Sequence, residues 1–172
     1  QDQAHGQYAN LGYAVQQRLI DYMNQGGNFF ITGQDVGWEY GTGAVSKEFY
    51  EGHLHAKYIQ DNVGFGAAEG INETFLEGIS LEFNGADSLA NLSYPDELDP
   101  IDPAKTILEY NEDIPMSLAK ISKRNRQIEK DKGYGPLKLD KVIQSSGSAA
   151  VAVDTGTYRS VYFGFTFESI TG

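Results

Sequence analysis

A short apolar run with glycines on both sides constrains the fold more than any other part of this sequence. Residues 28–32 read Asn-Phe-Phe-Ile-Thr, after the pair Gly26–Gly27 and before Gly33. A run this short, with aromatic and β-branched side chains, favours a strand buried on both faces, as in a parallel sheet. The preceding stretch, residues 10–24, predicts a helix because its apolar side chains recur at helical spacing, at Leu11, Val15, Leu19 and Tyr22. Helix, tight turn and buried strand together form half of a β–α–β unit.

The apolar run leads directly into the segment Gly33-Gln34-Asp35-Val36-Gly37. A strand that enters a G-x-nucleophile-x-G segment is typical of a nucleophile elbow, in which small residues let the chain reverse sharply. The central side chain, Asp35, is then expected to project above the carboxyl edge of the sheet. Near the other end, residues 160–167 are β-like, and this stretch closes with Phe163-Gly164-Phe165-Thr166-Phe167-Glu168.

These stretches, with Leu54-His55-Ala56-Lys57-Tyr58, resemble class I glutamine amidotransferase-like domains. The narrower similarity is to the non-catalytic members of that group, found beside or within secreted bacterial and archaeal peptidases and other cell-surface proteins. The resemblance implies a three-layer α/β fold with a mainly parallel central sheet, flavodoxin-like in outline, and an extracellular or cell-surface location. It also implies that Asp35 stands where the enzymes carry a catalytic cysteine, and Glu168 where they carry a histidine.

Composition excludes several functions. The chain has no cysteine, so it has no disulfide, thiolate metal site or thiol nucleophile, and it cannot act as a glutamine amidotransferase. The formal net charge of −11 disfavours binding to nucleic acid and to anionic membranes, and makes divalent cations the more natural partners. We expect no membrane insertion, because no stretch is long and apolar enough to span a bilayer.

Residues 1–172 are interpreted as a single domain of this kind, with a β-rich insertion at about residues 64–153. Fewer than thirty residues precede the elbow strand, whereas the resemblance implies one or two further β–α units there. We therefore expect a fragment of a larger chain, whose partner is the remainder of that polypeptide or a peptidase module. A sheet lacking its edge strands is also prone to self-association.

Two groups of carboxylates are candidate sites. Asp35 and Glu168 can act as acid and base, or as nucleophile, in hydrolysis; the alternative is that Asp35 bonds to local backbone and caps the next segment. Asp96, Asp99 and Asp102 lie in one proline-rich loop and form a candidate calcium site, although solvated loop carboxylates are commoner.

The elbow region is also a candidate ligand-binding surface. Gly33 and Gln34 belong to the turn itself, and Trp38 and Tyr40 can form an aromatic wall for a sugar or a peptide. The alternative for both aromatic residues is packing against the next helix. A basic segment, residues 120–141, can dock an acidic partner, but a solvated loop is the commoner outcome for such a charge run.

The resemblance and the missing thiol together predict a non-catalytic accessory domain that serves stability, assembly or substrate docking. The alternatives are a hydrolase that uses the Asp35–Glu168 pair, and a carbohydrate- or peptide-binding module built on Trp38 and Tyr40.

Overall fold

The computed structural model describes residues 11–43, 46–61, 63–83, 92–111 and 147–171. Within these ranges the chain forms three α-helices, one 3-10 helix and nine strands. The helices are α1 (Tyr13–Asn24), α2 (Val36–Thr42) and α3 (Lys47–Tyr50), and the 3-10 helix is Phe167–Ser169. The strands are β1 (Phe29–Thr32), β2 (Ala56–Gln60), β3 (Ala67–Gly70), β4 (Ser80–Phe83), β5 (Glu97–Pro100), β6 (Lys105–Tyr110), β7 (Ser148–Asp154), β8 (Arg159–Phe163) and β9 (Ile170–Thr171).

All nine strands belong to one mixed sheet in which antiparallel pairing dominates. Seven of them follow the order β1-β8-β7-β6-β3-β4-β9, while β2 pairs with β5 and β5 also meets β7. Among the described strands, only β1 and β8 run parallel, with Phe29 opposite Ser160 and Thr32 opposite Phe163. The predicted three-layer fold with a mainly parallel sheet is therefore wrong, and the observed sheet is a curled half-barrel.

The reason for the antiparallel arrangement is visible at the junction of β7 and β8. Gly156 has a φ of 82°, and the turn is closed by the Thr155 N–H, which donates to the Tyr158 carbonyl at 3.0 Å. A glycine with positive φ between two apolar strands makes a short hairpin, and a hairpin forces antiparallel pairing. The parallel prediction extended the pattern around β1 to strands such as β7 and β8, whose connection, residues 155–158, is too short for a helical crossover.

The curl of the sheet follows from the path of the chain after β8. Strand β9 begins soon after β8 ends at Phe163, yet it pairs with β4 at the opposite end of the strand order. The 3-10 helix shortens this connection, so β4 has to approach the carboxyl end of β8. Phe83 of β4 accordingly packs on Phe165, just past β8, with ring centroids 4.7 Å apart.

Helix α1 packs on one face of the sheet through Gln16, Ile20 and Met23. The buried face of this helix is rotated about the helix axis relative to the predicted face, since Val15 and Tyr22, both predicted to face inward, are exposed. Strand β1 also differs from the prediction of burial on both faces, since Phe30 is 50% exposed. The apolar pattern identified both elements correctly but not which of their faces would be covered.

Further predictions are corrected locally. The proline-rich loop predicted around Asp96, Asp99 and Asp102 contains strand β5, and the residues that follow the elbow form α2. The described part of the predicted insertion at 64–153 supplies β3 to β7, which belong to the same sheet as β1 and β8. The basic segment at residues 120–141 lies outside the described residues.

Candidate functional site: the elbow turn and a buried carboxyl

The segment Gly33–Gly37, here called the elbow turn, reverses the chain between β1 and α2. Asp35 occupies the left-handed region at φ 67°, a conformation that is costly for a non-glycine residue. A Cβ added to Gly33 would lie 2.9 Å from Val36 Cγ2, so only glycine fits the start of the turn. The predicted sharp turn between strand and helix is therefore present, with Asp35 at its centre.

Gln34 connects the elbow turn to the segment 92–96. Its side-chain Oε1 accepts hydrogen bonds from the backbone N–H groups of Ser93 at 2.9 Å and Tyr94 at 3.2 Å. The Gln34 side chain is thus used inside the molecule, to hold a segment that lies about sixty residues away in sequence.

Asp96 makes the reverse connection, from the segment 92–96 to the elbow turn. It is completely buried, and its Oδ2 accepts hydrogen bonds from the Gly37 backbone N–H at 2.7 Å and the Tyr162 hydroxyl at 2.8 Å. The Asp96 backbone is held as well, because its N–H donates to the Gly164 carbonyl and its carbonyl accepts from the Tyr110 hydroxyl. We call Gly37, Tyr50, Asp96, Tyr110 and Tyr162 the Asp96 cluster.

This arrangement means that α2 is capped by a residue distant in sequence. Asp35 stands at the N-cap position but makes no side-chain capping bond. The Asp96 carboxyl instead accepts from the N–H of Gly37 in the first turn of the helix, where the unpaired N–H groups of a helix favour an acceptor. The predicted capping role of Asp35 is therefore wrong, and Asp96 performs it.

Two polar atoms of the Asp96 cluster have no hydrogen-bond partner among the described residues: Asp96 Oδ1 and the Tyr50 hydroxyl. Both lie close to the same backbone position, since a Cβ added to Gly37 would be 2.8 Å from Tyr50 Oη and 3.1 Å from Asp96 Cγ. The two atoms do not bond to each other, so two polar groups without partners in the described part of the chain are buried at the same place.

The pKa of Asp96 is raised to about 8, chiefly by burial and to a smaller extent by the charges of Asp61 and Asp35, against the lowering effect of the hydrogen bonds from Gly37 and Tyr162. The carboxyl is therefore mainly protonated at neutral pH. The same burial raises the pKa of the Tyr50, Tyr110 and Tyr162 hydroxyls well above their usual value. All four side chains of the cluster are thus neutral near pH 7, which is the state that tolerates burial.

Asp35 and Glu168 occupy different surroundings. The charge of Asp35 raises the pKa of Glu39, Tyr58 and Asp96, so its carboxyl lies on the α2 side of the turn. Glu168 lies in the exposed 3-10 helix that follows β8. The structure therefore brings Asp35 together with Asp96, a carboxylate that the sequence assigned to a different site.

The three predicted calcium ligands also separate. Asp96 is buried in its cluster, Asp99 is exposed in β5 opposite Lys57, and Asp102 is exposed in the following turn. Across the described ranges, no group of three or more His, Asp or Glu side chains is arranged to hold a metal ion.

The residues predicted to bind a ligand also differ in their exposure to solvent. Tyr40 is buried, packs edge-to-face on Phe49 with ring centroids 6.0 Å apart, and accepts a hydrogen bond from the Leu11 N–H through its hydroxyl. Trp38, on the same helix, is 39% exposed. Gly33 donates its N–H to the Phe163 carbonyl at 3.3 Å. Of the four residues predicted to bind a ligand, Trp38 alone presents a large side chain to solvent.

Sequence reasoning missed the tyrosines of the Asp96 cluster. Tyr110 follows the exposed Glu109, and a period of two predicts that it faces inward, whereas Tyr162 lies between Val161 and Phe163 and carries no such signal. Nothing local distinguishes Asp96 from the acidic residues beside it, because its partners come from α2, β6 and β8.

Comparison with known proteins finds no match for this chain among protein-family models, curated proteins or solved structures. The similarity to amidotransferase-like domains therefore stays a prediction from the sequence. In the described part of the chain, no helix combines the length and the apolar character that crossing a bilayer requires.

Proposed function

We propose that this chain is a non-catalytic accessory domain of an exported peptidase or cell-surface protein, and that its elbow turn serves as a structural junction. The observation that supports this proposal is the hydrogen bond from the Gly37 N–H to the buried Asp96 carboxyl, at 2.7 Å. It joins α2 to the segment 92–96 directly after the elbow turn, and the Tyr162 hydroxyl, which donates to the same carboxyl, adds β8 to this junction.

The backbone donors at the start of α2 support this proposal. In hydrolases with a nucleophile elbow, the N–H of the residue after the nucleophile stabilises the oxyanion that forms during acyl transfer, and here that residue is Val36. The next N–H along the chain, that of Gly37, is already bound to Asp96, which is buried and held at its own backbone by Tyr110 and Gly164. Displacing it would leave a buried carboxyl and a buried N–H without partners, which costs about 1–3 kcal/mol for each group.

The other elbow residues are also engaged within the molecule. The Gly33 N–H bonds to β8 and the Gln34 side chain bonds to the segment 92–96. Asp35, at the nucleophile position, carries a carboxylate, which is a weaker nucleophile than a thiolate in acyl transfer. Because its hydrogen-bonding groups are bound to β8 and to the segment 92–96, the elbow turn is suited to holding these two parts of the chain in place.

The enzymatic alternative is tested with Asp35→Asn and Glu168→Gln. Purified wild-type and variant proteins are assayed against peptide, ester and glycoside substrates, and their thermal unfolding is measured in parallel. We expect no turnover above background for any of the three proteins. Turnover by the wild type that either substitution abolishes, with unfolding unchanged, would show that the chain is a hydrolase and would remove the proposal.

The accessory role is tested independently by sequencing the coding frame on both sides of this segment. We expect an export signal and a peptidase or surface-protein module in the same frame. A frame that encodes neither would contradict the accessory role, even if the chain proves to be catalytically inactive.

A further inference from the structure

One edge of the sheet differs from the other unpaired edges. Three described strands have a single partner, namely β1, β2 and β9. β9 has only two residues and β2 carries Lys57, whereas residues 28–33 around β1 contain no charged side chain and no proline. Short length and charge are the usual protections of a strand edge, so β1 is the unprotected one.

The backbone groups that β1 presents at this edge can be assigned. The Gly33 N–H donates to Phe163 of β8, and alternate residues of a strand direct their N–H and C=O groups to the same side. Phe29 and Ile31 therefore bond towards β8, while Phe30 and Thr32 direct both their N–H and C=O groups outward. These outward groups can receive another strand.

Exposed apolar side chains flank this edge on both faces of the sheet. On one face, Phe30 is 50% exposed and Phe167 is 42% exposed, with ring centroids 5.4 Å apart. On the other face, Val15 and Tyr22 of α1 are exposed. The Tyr22 ring lies against Gly27, just before β1, where an added Cβ would come within 2.3 Å of it. We call the outer edge of β1 with Phe30 and Phe167 the β1 surface.

We propose that the β1 surface binds a second copy of this chain, by antiparallel pairing of β1 with β1 across a twofold axis. In the register that sets Phe30 opposite Phe30 of the second copy, the outward groups of Phe30 form one hydrogen-bonded pair with themselves. The outward groups of Thr32 then meet those of Asn28, which share the same parity. Residues directly opposite in an antiparallel pair lie on one face, so both Phe30 rings and both Phe167 rings come together.

A second copy suits this surface because the surface is self-complementary and uncharged within a strongly acidic protein. Identical patches can associate only through a twofold arrangement, and antiparallel strands supply it without any other change in the fold. The net charge of −11 on each copy opposes association at long range, so salt strengthens it by screening. The inference does not depend on the proposed accessory function.

The mass in solution gives the first test. Light scattering coupled to size-exclusion chromatography is recorded over a dilution series, at low salt and at about 0.5 M salt. At the higher salt concentration, the repulsion between the two acidic copies is screened beyond a distance of less than about 10 Å. We expect a mass that rises from 18.9 kDa towards twice that value with concentration, and at lower concentration when salt is added. A monomer at every concentration and salt would overturn the proposal and would leave the edge to a strand from another polypeptide.

The absence of cysteine allows a test of the register. Phe30→Cys introduces a single thiol, with Ile59→Cys on the charged edge strand β2 as a matched exposed control. Opposite Cβ atoms in a hydrogen-bonded antiparallel pair are about 5.5 Å apart, beyond the roughly 3.5–4.5 Å of a disulfide, so the two thiols are joined with a short bismaleimide linker instead of by oxidation. We expect Phe30→Cys to form a covalent dimer with this linker at least about tenfold faster than Ile59→Cys. Equal rates would exclude this register.

Charge substitution completes the design. Phe30→Glu places two carboxylates side by side in the proposed dimer and should return the protein to a monomer, while Ile59→Glu should leave the dimer intact. Phe30 and Ile59 are 50% and 39% exposed, and the Phe30 ring also packs on Phe163 with centroids 5.5 Å apart, so the thermal unfolding of both variants is recorded in parallel. A dimer that survives Phe30→Glu uses a different surface, and the proposal then fails.

Discussion

The Asp96 cluster and the β1 surface depart in opposite ways from the usual distribution of polar and apolar side chains. In the Asp96 cluster a carboxyl and three tyrosine hydroxyls are buried, whereas on the β1 surface phenylalanine rings are exposed. Exposed apolar patches and buried polar groups are the informative exceptions in a folded protein. The buried carboxyl is explained by its hydrogen-bond partners within the chain. The rings of Phe30 and Phe167 contact each other, but the described residues leave about half of each ring exposed.

The largest effect is expected from removing the carboxyl. Asp96→Ala leaves the Gly37 N–H and the Tyr162 hydroxyl buried without their acceptor and opens a small cavity. We expect the free energy of unfolding to fall by about 3–5 kcal/mol, measured by urea denaturation. Asp99→Ala, an exposed carboxylate in β5, is the matched control and should change it by less than about 0.5 kcal/mol. Similar losses for both variants would show that the Asp96 hydrogen bonds contribute little.

The free energy of unfolding should depend on pH because the Asp96 carboxyl titrates differently in the folded and unfolded states. Because the pKa of Asp96 is raised to about 8 from 3.8, the folded state holds a proton that the unfolded state has lost throughout that interval. Through this group the free energy of unfolding falls by about 1.4 kcal/mol per pH unit as pH rises from about 4 to about 8, and then levels off.

Asp96→Asn isolates this contribution. The carboxamide oxygen accepts from Gly37 and Tyr162, and the group does not titrate. We expect the variant to gain stability relative to wild type with rising pH, by the same slope, in unfolding curves recorded between pH 4 and pH 9. Parallel curves for the two proteins would mean that Asp96 titrates near its ordinary value.

A smaller effect is expected where α2 approaches the cluster. A Cβ at Gly37 would lie 2.8 Å from both Tyr50 Oη and Tyr58 Cδ2, so Gly37→Ala should destabilise by about 1–3 kcal/mol through overpacking. Tyr50→Phe removes one of these contacts together with a hydroxyl that has no partner among the described residues, and should itself be close to neutral. In the Tyr50→Phe background we expect Gly37→Ala to cost less, measured as a double-mutant cycle. If the losses of stability from Gly37→Ala and Tyr50→Phe are additive, the added Cβ does not clash with the Tyr50 hydroxyl.

The smallest effect is expected at the β1 surface. Phe30→Thr removes an exposed ring and should change the unfolding free energy of the dilute protein by less than about 0.5 kcal/mol. The wild-type melting temperature should rise with protein concentration, because association stabilises the folded state, and that of Phe30→Thr should not. A loss of several kcal/mol at high dilution would show that Phe30 belongs to the core, and the contrast between the two regions would disappear.

Local patterns in the sequence identified the segments nearest to β1. The elbow turn was predicted because its glycines and its position after an apolar run are local features, and Asp35 does adopt the strained conformation at its centre. The fold class was wrong because it was extended from this one parallel pair. The hairpin at Gly156 has a local signal of its own, a glycine between two β-like stretches, and that signal favours antiparallel pairing.

The contents of the candidate site could not be obtained in the same way. Asp96 was grouped with Asp99 and Asp102 by adjacency, but burial separates it from both, and burial depends on which strands pair. Its acceptor role is defined by Gly37 and Tyr162, each about sixty residues away. Hydrogen bonds between residues so far apart in sequence are set by the packing of the whole sheet. The apolar periodicity of a single segment does not predict them.

The capping of α2 by Asp96 has a consequence for the order of folding. A helix of seven residues is not stable by itself, and this one obtains its cap only when the segment 92–96 has reached the elbow turn. That encounter closes a loop of about sixty residues, which is slow compared with forming a helix turn. Helix α2 is therefore formed late, in the same cooperative step that joins the two halves of the sheet, and its appearance marks completion of the fold.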